Sequence, residues 1–202
     1  MRYDTGTHAA AAAHGHATFM GLDNRKMAFW AFIGSECLLF GSLISTYLVY
    51  KGQSIVGPYP AEILDIPVTS ASTFDLLASS LWMVLALAAV QRGDMKWAKI
   101  WLLGVVLGGL IFLGFQYYEF STFVHEGLTL QRNLFGSSFF VLTGTHGAHV
   151  AVGVMWMLTL LVQAMRGKLG PANAITVEIA GLYWHFVDVV WIVIFTVVYL
   201  IQ

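Results

Sequence analysis

The fold is decided by the stretch from Glu178 to Tyr199, which reads EIAGLYWHFVDVVWIVIFTVVY. This stretch is almost entirely apolar and is about as long as the ~20 residues that a helix needs to cross a bilayer. It nevertheless carries Glu178, His185 and Asp188, which on a helix share one sector of roughly 80°. Because an ionisable group that faces lipid is costly, this sector is expected to face protein, water or polar headgroups.

The composition of the whole chain is that of a membrane protein. Of its 202 residues, 58% are hydrophobic and only 10% are charged, whereas soluble domains carry about 25% charged residues. The formal net charge of -1, without a basic stripe, gives no support for nucleic-acid binding. The single cysteine, Cys37, cannot form an internal disulfide. Residues 1–24 lack the charged region and apolar core of a signal peptide.

Five apolar segments predict an all-α fold, a polytopic membrane protein built as a bundle of five transmembrane helices. The predicted spans run from about Lys26 to Lys51, Pro67 to Val90, Lys96 to Phe120, Gly136 to Met165 and Glu178 to Tyr199. The connections are short and contain turn residues. We therefore divide the chain into a flexible, polar Ala/His-rich tail at residues 1–24 and a transmembrane domain at residues 25–202.

The distribution of positive charge predicts the orientation of the bundle. Eight of the ten Lys and Arg residues lie on one side, in the tail and in the connections that follow the second and fourth spans, while only Lys51 and Arg132 lie on the other. Loops rich in Lys and Arg remain in the cytoplasm. This rule places the N-terminus in the cytoplasm and the C-terminus outside.

Several polar residues are predicted to lie at one depth of this bundle, where they can hydrogen-bond to one another. Glu36 lies ~15 Å into the first span. An acid at that depth must pair or stay protonated, and both a functional role and a structural hydrogen bond are open. Asp75 and Glu178 lie nearer the ends of their spans, so structural roles are favoured there. The groups predicted to share one depth are Glu36, His146, His149, His185 and Asp188.

The histidines do not match a known metal pattern. Carboxylate-bridged di-metal bundles use Glu-x-x-His pairs, whereas this chain offers His-x-x-His at His146 and His149 and His-x-x-Asp at His185 and Asp188. Hydrogen-bonded histidines are therefore favoured over metal or haem ligands, and no metal site and no catalytic residue are predicted. The tail histidines His8, His14 and His16 lack a fixed geometry for binding a metal.

Four motifs carry a resemblance to subunit III of the haem–copper cytochrome oxidases. YWHFVDVVW (Tyr183–Trp191) resembles the last helix of that subunit, and LTGTHGAHVAVG (Leu142–Gly153) resembles its TGFHGxHVxxG helix, with Thr instead of the common Phe. FLGFQYYEF (Phe112–Phe120) and SECLLFGSLISTYLV (Ser35–Val49) are similar to two further patterns of the family. The match covers about residues 26–201, and the chain looks like the five-helix bacterial form.

The resemblance implies an accessory subunit of an aa3-type oxidase that reduces O2 to water and pumps protons. It implies that this chain stabilises subunit I, its main contact, supports proton uptake and binds phospholipid. Subunit II and a small subunit IV are further expected partners. Haem and copper are expected in the partner subunits and not on this chain. The expected location is the bacterial cytoplasmic membrane.

The resemblance also gives the polar groups candidate roles. Glu36 takes the position of the family's membrane-buried glutamate, and Asp75 departs from the family, in which apolar residues are common there. The residues expected to be buried and linked to protons or lipids are Glu36, Glu119, His146, His149, Glu178, His185 and Asp188.

Two alternatives to a cytochrome c oxidase subunit are open from the sequence. The same subunit of a quinol oxidase would look alike, because the electron donor is set by subunits I and II, and cytochrome c is only the commoner case. A small proton-coupled transporter would use the intramembrane acids and histidines as a relay. The absence of an internal repeat counts against the transporter.

Overall fold

A computed structural model describes residues 23–53 and 66–201 of the chain. Five long helices lie in these residues: α1 (Asn24–Tyr50), α2 (Ile66–Arg92), α3 (Met95–His125), α4 (Leu134–Met165) and α5 (Ala174–Phe195). A short 3-10 helix, Pro171–Asn173, precedes α5, and a π-helical turn, Thr196–Leu200, continues it. All five are long and apolar enough to cross a membrane, which confirms the predicted fold class.

The helix ends differ from the predicted spans by a few residues. The third helix continues past Phe120 to His125, because Phe123 still packs in the core with 1% of its surface exposed. The last helix begins at Ala174 rather than at Glu178, directly after the turn opened by Pro171. Most of the predicted tail, with His8, His14 and His16, lies outside the described residues.

A glycine turn joins α2 to α3. Gly93 has a φ of 78°, which an L side chain rarely adopts. The amide of Gly93 donates to the Val90 carbonyl, and that of Asp94 donates to the Ala89 carbonyl, the pair of bonds that ends many helices. The Asp94 side chain then accepts from the amide of Trp97 and caps α3. This two-residue connection forces α2 and α3 to be antiparallel neighbours.

Of the described residues, those up to residue 37 belong to one unit and those from residue 38 onwards to a second, compact unit. In the second unit, α2 packs against α3 and α5, and α4 packs against the same two helices, so the four form a ring. The second half of α1 contacts α4 and α5 through Phe40. The ring of Phe40 lies 5.0 Å from that of His149 and 6.2 Å from that of Phe186.

The indole of Trp184 on α5 is fully buried and contacts the three other helices of the ring. A Cβ atom added at Gly109 of α3 would lie 2.7 Å from this indole, and one added at Gly153 of α4 would lie 2.8 Å from it. The indole Nε1 donates to Ser79 Oγ of α2 at 3.0 Å. Trp184 therefore contacts all three other helices of the ring, and the two glycines provide its space.

Gly104 and Gly108 on α3 allow a close approach to α2. A Cβ atom added at Gly108 would lie 2.9 Å from Ser79 Cβ, and one added at Gly104 would lie 3.1 Å from the ring of Trp82. Small residues on one helix thus admit side chains of α2, as is common in membrane bundles.

Replacing Gly109 by Ala should destabilise the bundle, because the new methyl group would collide with Trp184 and with Val154. We expect Gly109→Ala to lower the free energy of unfolding in mixed micelles by about 1–3 kcal/mol. Gly114 on the same helix has no neighbour within 4 Å of an added Cβ, so Gly114→Ala is the matched control and should be neutral. Equal stability of the two variants would contradict this packing.

Candidate functional site

The carboxyl group of Glu119 is the centre of a buried hydrogen-bond network near the end of α3. Its Oε1 atom accepts from Thr69 Oγ1 of α2 at 2.8 Å and from Tyr199 OH of the π-helical turn at 3.0 Å. Glu119 is 8% exposed, and its two donors are 1% exposed. One oxygen therefore joins three elements of the fold in a place that water does not reach.

A second layer of this network continues along α2. Thr73 Oγ1 donates to the Thr69 carbonyl at 2.7 Å and accepts from Trp191 Nε1 at 2.9 Å. An indole nitrogen only donates and a backbone carbonyl only accepts. The described bonds of this layer therefore run between an indole donor on α5 and a backbone acceptor on α2, and they join these two helices.

His146 lies in the centre of the bundle and is fully buried. Its Nε2 atom donates to the Val187 carbonyl at 3.2 Å. Because a carbonyl only accepts, Nε2 carries the hydrogen and Nδ1 is left as an acceptor. The rings of Trp191 and Phe112 lie 4.8 and 5.7 Å from the imidazole. Aromatic side chains thus pack around the His146 ring.

Gln116 lies on α3, one helical turn before Glu119, and its side chain packs against the backbone of α4. Its Nε2 atom donates to the Thr143 carbonyl at 2.7 Å. Gly147 leaves the space for the amide group, because a Cβ atom at that position would collide with the Gln116 side chain. Gly147 therefore serves the packing of α3 against α4.

His149 and His185 are half-buried, so the prediction that both are buried is wrong. Both do hydrogen-bond to protein groups, as predicted. His149 Nδ1 donates to the Thr145 carbonyl of its own helix at 2.8 Å, and His185 Nδ1 lies 2.5 Å from Ser80 Oγ of α2. His185 thus joins α5 to α2, whereas the described bond of His149 stays within α4.

Asp188 is 3% exposed, and neither carboxylate oxygen has a hydrogen-bond partner among the described residues. In the described part of the chain no hydrogen bond joins Asp188, His146 and His185 to one another. The mutual bonding that a shared depth would allow is therefore not seen among these three of the five groups. The helix faces explain why, since the imidazole of His146 is directed at the α5 backbone and that of His185 at α2.

The other intramembrane acids differ in their surroundings. Glu36 on α1 and Glu178 on α5 are half-buried. Asp75, for which a structural role was favoured, is half-buried, and its Oδ2 atom is buried beside Gly108 of α3, without a partner among the described residues. It lies on the edge of α2 that packs against α3.

The hydroxyl groups of α2 are the residues whose importance the sequence reasoning missed. Thr69, Thr73, Ser79 and Ser80 supply partners to Glu119, Trp191, Trp184 and His185 respectively. The available signal was the run of Ser and Thr inside an otherwise apolar span. Hydroxyl groups at membrane depth commonly bond to other helices.

The described residues contain no group of three or more His, Cys, Asp and Glu side chains that could hold a metal ion. The nitrogen atoms of His146 and His149 that bond to backbone carbonyls are hydrogen donors, so those atoms do not fit a ligand set for haem or copper. The expectation that this chain carries no metal stays a prediction.

The fold and the polar groups define an all-helical, multi-pass membrane protein whose interior polar residues join its helices. Residues 5–202 match the family described as cytochrome c oxidase subunit III. The chain belongs to this family and is a subunit III of a haem–copper oxidase.

The similar proteins include both kinds of oxidase. The chain is 44% identical to cytochrome c oxidase subunit 3 of Bacillus sp. (strain PS3), over 94% of this chain and 91% of that protein. It is 41% identical to quinol oxidase subunit 3 of Bacillus subtilis (strain 168), over 86% of this chain and 85% of that protein. A probable quinol oxidase subunit 3 of Staphylococcus saprophyticus is 45% identical, over 87% of this chain and 88% of that protein.

Removing the Glu119 carboxyl should loosen the bundle. Glu119→Leu leaves the hydroxyl groups of Thr69 and Tyr199 without their acceptor, so we expect it to lower the free energy of unfolding by about 1–3 kcal/mol. Glu119→Gln keeps an acceptor oxygen and should lose less. Tyr199→Phe should cost about 1 kcal/mol. In the double variant Glu119→Leu/Tyr199→Phe, the loss of unfolding free energy should be smaller than the sum of the two single losses. Strict additivity would show that Glu119 and Tyr199 do not interact.

Proposed function

We propose that this chain is a non-catalytic accessory subunit that stabilises the catalytic subunit of its oxidase. The observation that supports this role is that the interior polar groups form hydrogen bonds between elements of the fold. Thr69, Glu119 and Tyr199 bond to one another across three elements, and His146 bonds to the α5 backbone. Side chains engaged in this way stabilise a scaffold, while the redox chemistry of an oxidase requires haem and copper, which we assign to the partner subunits.

The surface of the bundle supports the proposed partners. Large apolar side chains are exposed on all five helices, among them Leu38 at 77%, Phe74 at 75% and Tyr117 at 78%. In a bilayer such surfaces meet lipid or other transmembrane helices. We assign the main contact to subunit I, further contacts to subunit II and to a small subunit IV, and the remaining surface to phospholipid. The membrane is the bacterial cytoplasmic membrane, as the bacterial relatives suggest.

We assign cytochrome c as the electron donor of the complex, with a quinol as the second candidate. The relatives carry both names at similar identity, so the similarity of this chain favours neither. The donor binds to other subunits of such oxidases, and an assay of the purified complex with each donor decides between them.

A proton-coupled transporter formed by this chain alone is less well supported. The proposed relay would require hydrogen bonds between its members. His146 bonds to a backbone carbonyl and is surrounded by rings, and His185 bonds to Ser80. We therefore propose that any role in proton uptake belongs to half-buried residues such as Glu36.

The first test is purification of the chain from its host membrane in a mild detergent. We expect a tagged chain to retain larger subunits that carry haem and copper, and we expect the isolated chain to show no haem absorption and no bound copper. Recovery of the chain alone, or of haem or copper bound to it in stoichiometric amount, would contradict the proposed role.

A second test concerns Glu36, which lies about 18 Å from the start of α1 and therefore near the middle of the membrane. Glu36→Gln keeps the size and hydrogen-bonding capacity of the side chain but cannot exchange a proton. We expect Glu36→Gln to keep the complex assembled and to lower proton ejection, and Glu36→Ala to weaken assembly as well. Oxygen consumption and proton ejection in vesicles measure both effects. Wild-type behaviour of both variants would remove Glu36 from these roles.

A further inference from the structure

A polar edge lies in the middle of the contact between α2 and α5, and Ser80, His185 and Asp188 form it. Ser80 Oγ lies 2.5 Å from His185 Nδ1, and the same hydroxyl group lies beside the Asp188 carboxyl group. Ser80 and His185 are half-buried, whereas Asp188 is 3% exposed. The polar edge therefore begins in the interior and reaches the surface of the bundle.

The polar edge leaves one ring nitrogen of His185 without a described hydrogen bond. The Nδ1 atom bonds to Ser80 Oγ, as donor or as acceptor according to the tautomer. In either tautomer the Nε2 atom of His185 has no partner among the described residues, and it is not one of the buried atoms of the bundle that lack a partner. A hydrogen-bonding group from outside the described chain can therefore reach Nε2.

Lipid does not supply this group. His185 lies about 17 Å from the start of α5 at Ala174, which is near the middle of a hydrocarbon core of about 30 Å. Headgroups lie at the two surfaces of that core, and acyl chains form no hydrogen bonds. A polar side chain that faces acyl chains at this depth is costly.

Exposed aliphatic side chains surround the polar edge. Leu77 and Val84 lie one turn before and one turn after Ser80 on α2 and are 43% and 49% exposed. Val189 lies one turn after His185 on α5 and is 58% exposed. A polar centre within an apolar surface is the arrangement by which transmembrane helices recognise one another.

We propose that the polar edge is a docking surface for a transmembrane helix of another oxidase subunit, which contributes a hydroxyl- or amide-bearing side chain. This inference rests on the proposed function. A second copy of this chain fits less well, because a symmetric contact would bring the same Nε2 atom from both copies together, both as donors or both as acceptors. A helix of another subunit can bring the complementary group.

The test compares two exposed valines of the same complex. Val189 lies beside the polar edge and is 58% exposed, whereas Val152 lies on α4 and is 49% exposed. We expect Val189→Trp, which adds bulk at the docking surface, to reduce at least several-fold the amount of this chain that remains with the other subunits after a detergent wash. Val152→Trp should be retained like the wild type. Equal retention of the two variants, or equal loss of both, would overturn the proposal.

Photocross-linking identifies the occupant. A benzoylphenylalanine in place of Val189 should form an adduct with another oxidase subunit, identified by mass spectrometry, and one in place of Val152 should not. Adducts at Val189 only with lipid, or only with a second copy of this chain, would overturn the proposal. If the wild-type chain does not co-purify with any oxidase subunit, the proposed function fails first, so the two failures are distinguishable.

The His185 side chain provides the chemical control. His185→Gln keeps a group that donates and accepts, whereas His185→Leu keeps neither. We expect Gln to retain the chain in the complex and Leu to release it, while the isolated Leu variant still shows helical circular dichroism and a monodisperse elution profile. Equal retention of Gln and Leu, with the variant chains folded, would show that the partner does not hydrogen-bond to His185.

Discussion

Two indole hydrogen bonds from α5 to α2 define the register of the bundle. Trp184 Nε1 donates to Ser79 Oγ, and Trp191 Nε1, a heptad later, donates to Thr73 Oγ1. Each hydroxyl group can accept because its own hydrogen is used on its own helix, by the Leu76 carbonyl for Ser79 and by the Thr69 carbonyl for Thr73. A slip of α5 against α2 would leave both indoles without partners in a medium that offers no water.

The same constraint explains why small residues and large rings alternate in the core. The indole of Trp184 can approach Ser79 only because Gly109 and Gly153 leave room for it. In lipid the hydrophobic effect does not drive helices together, so close packing and hydrogen bonds between helices must do so. The glycine positions of α3 and α4 and the hydroxyl positions of α2 are therefore parts of one arrangement.

The sequence predicted the five helices well, because long apolar segments and few charges are sufficient for that inference. It also predicted that Glu178, His185 and Asp188 share one side of the last helix, and the structure has Asp188 buried with the other two half-buried. The partners were not predictable, because they depend on which helices become neighbours. Asp75 illustrates this, since its position in the span did not indicate that its Oδ2 atom is buried beside Gly108 of α3.

The polar side chains in the interior of this subunit are paired largely with aromatic rings and backbone carbonyls. The rings of Phe112 and Trp191 lie 5.7 and 4.8 Å from the ring of His146, whose Nε2 atom donates to the Val187 carbonyl. Trp191 also donates to Thr73, whose own hydroxyl hydrogen goes to the Thr69 carbonyl. An indole nitrogen only donates and a carbonyl only accepts. Each of these bonds therefore fixes one helix against another or a side chain against its own helix, so the interior polar groups and the packed rings act together to stabilise the bundle.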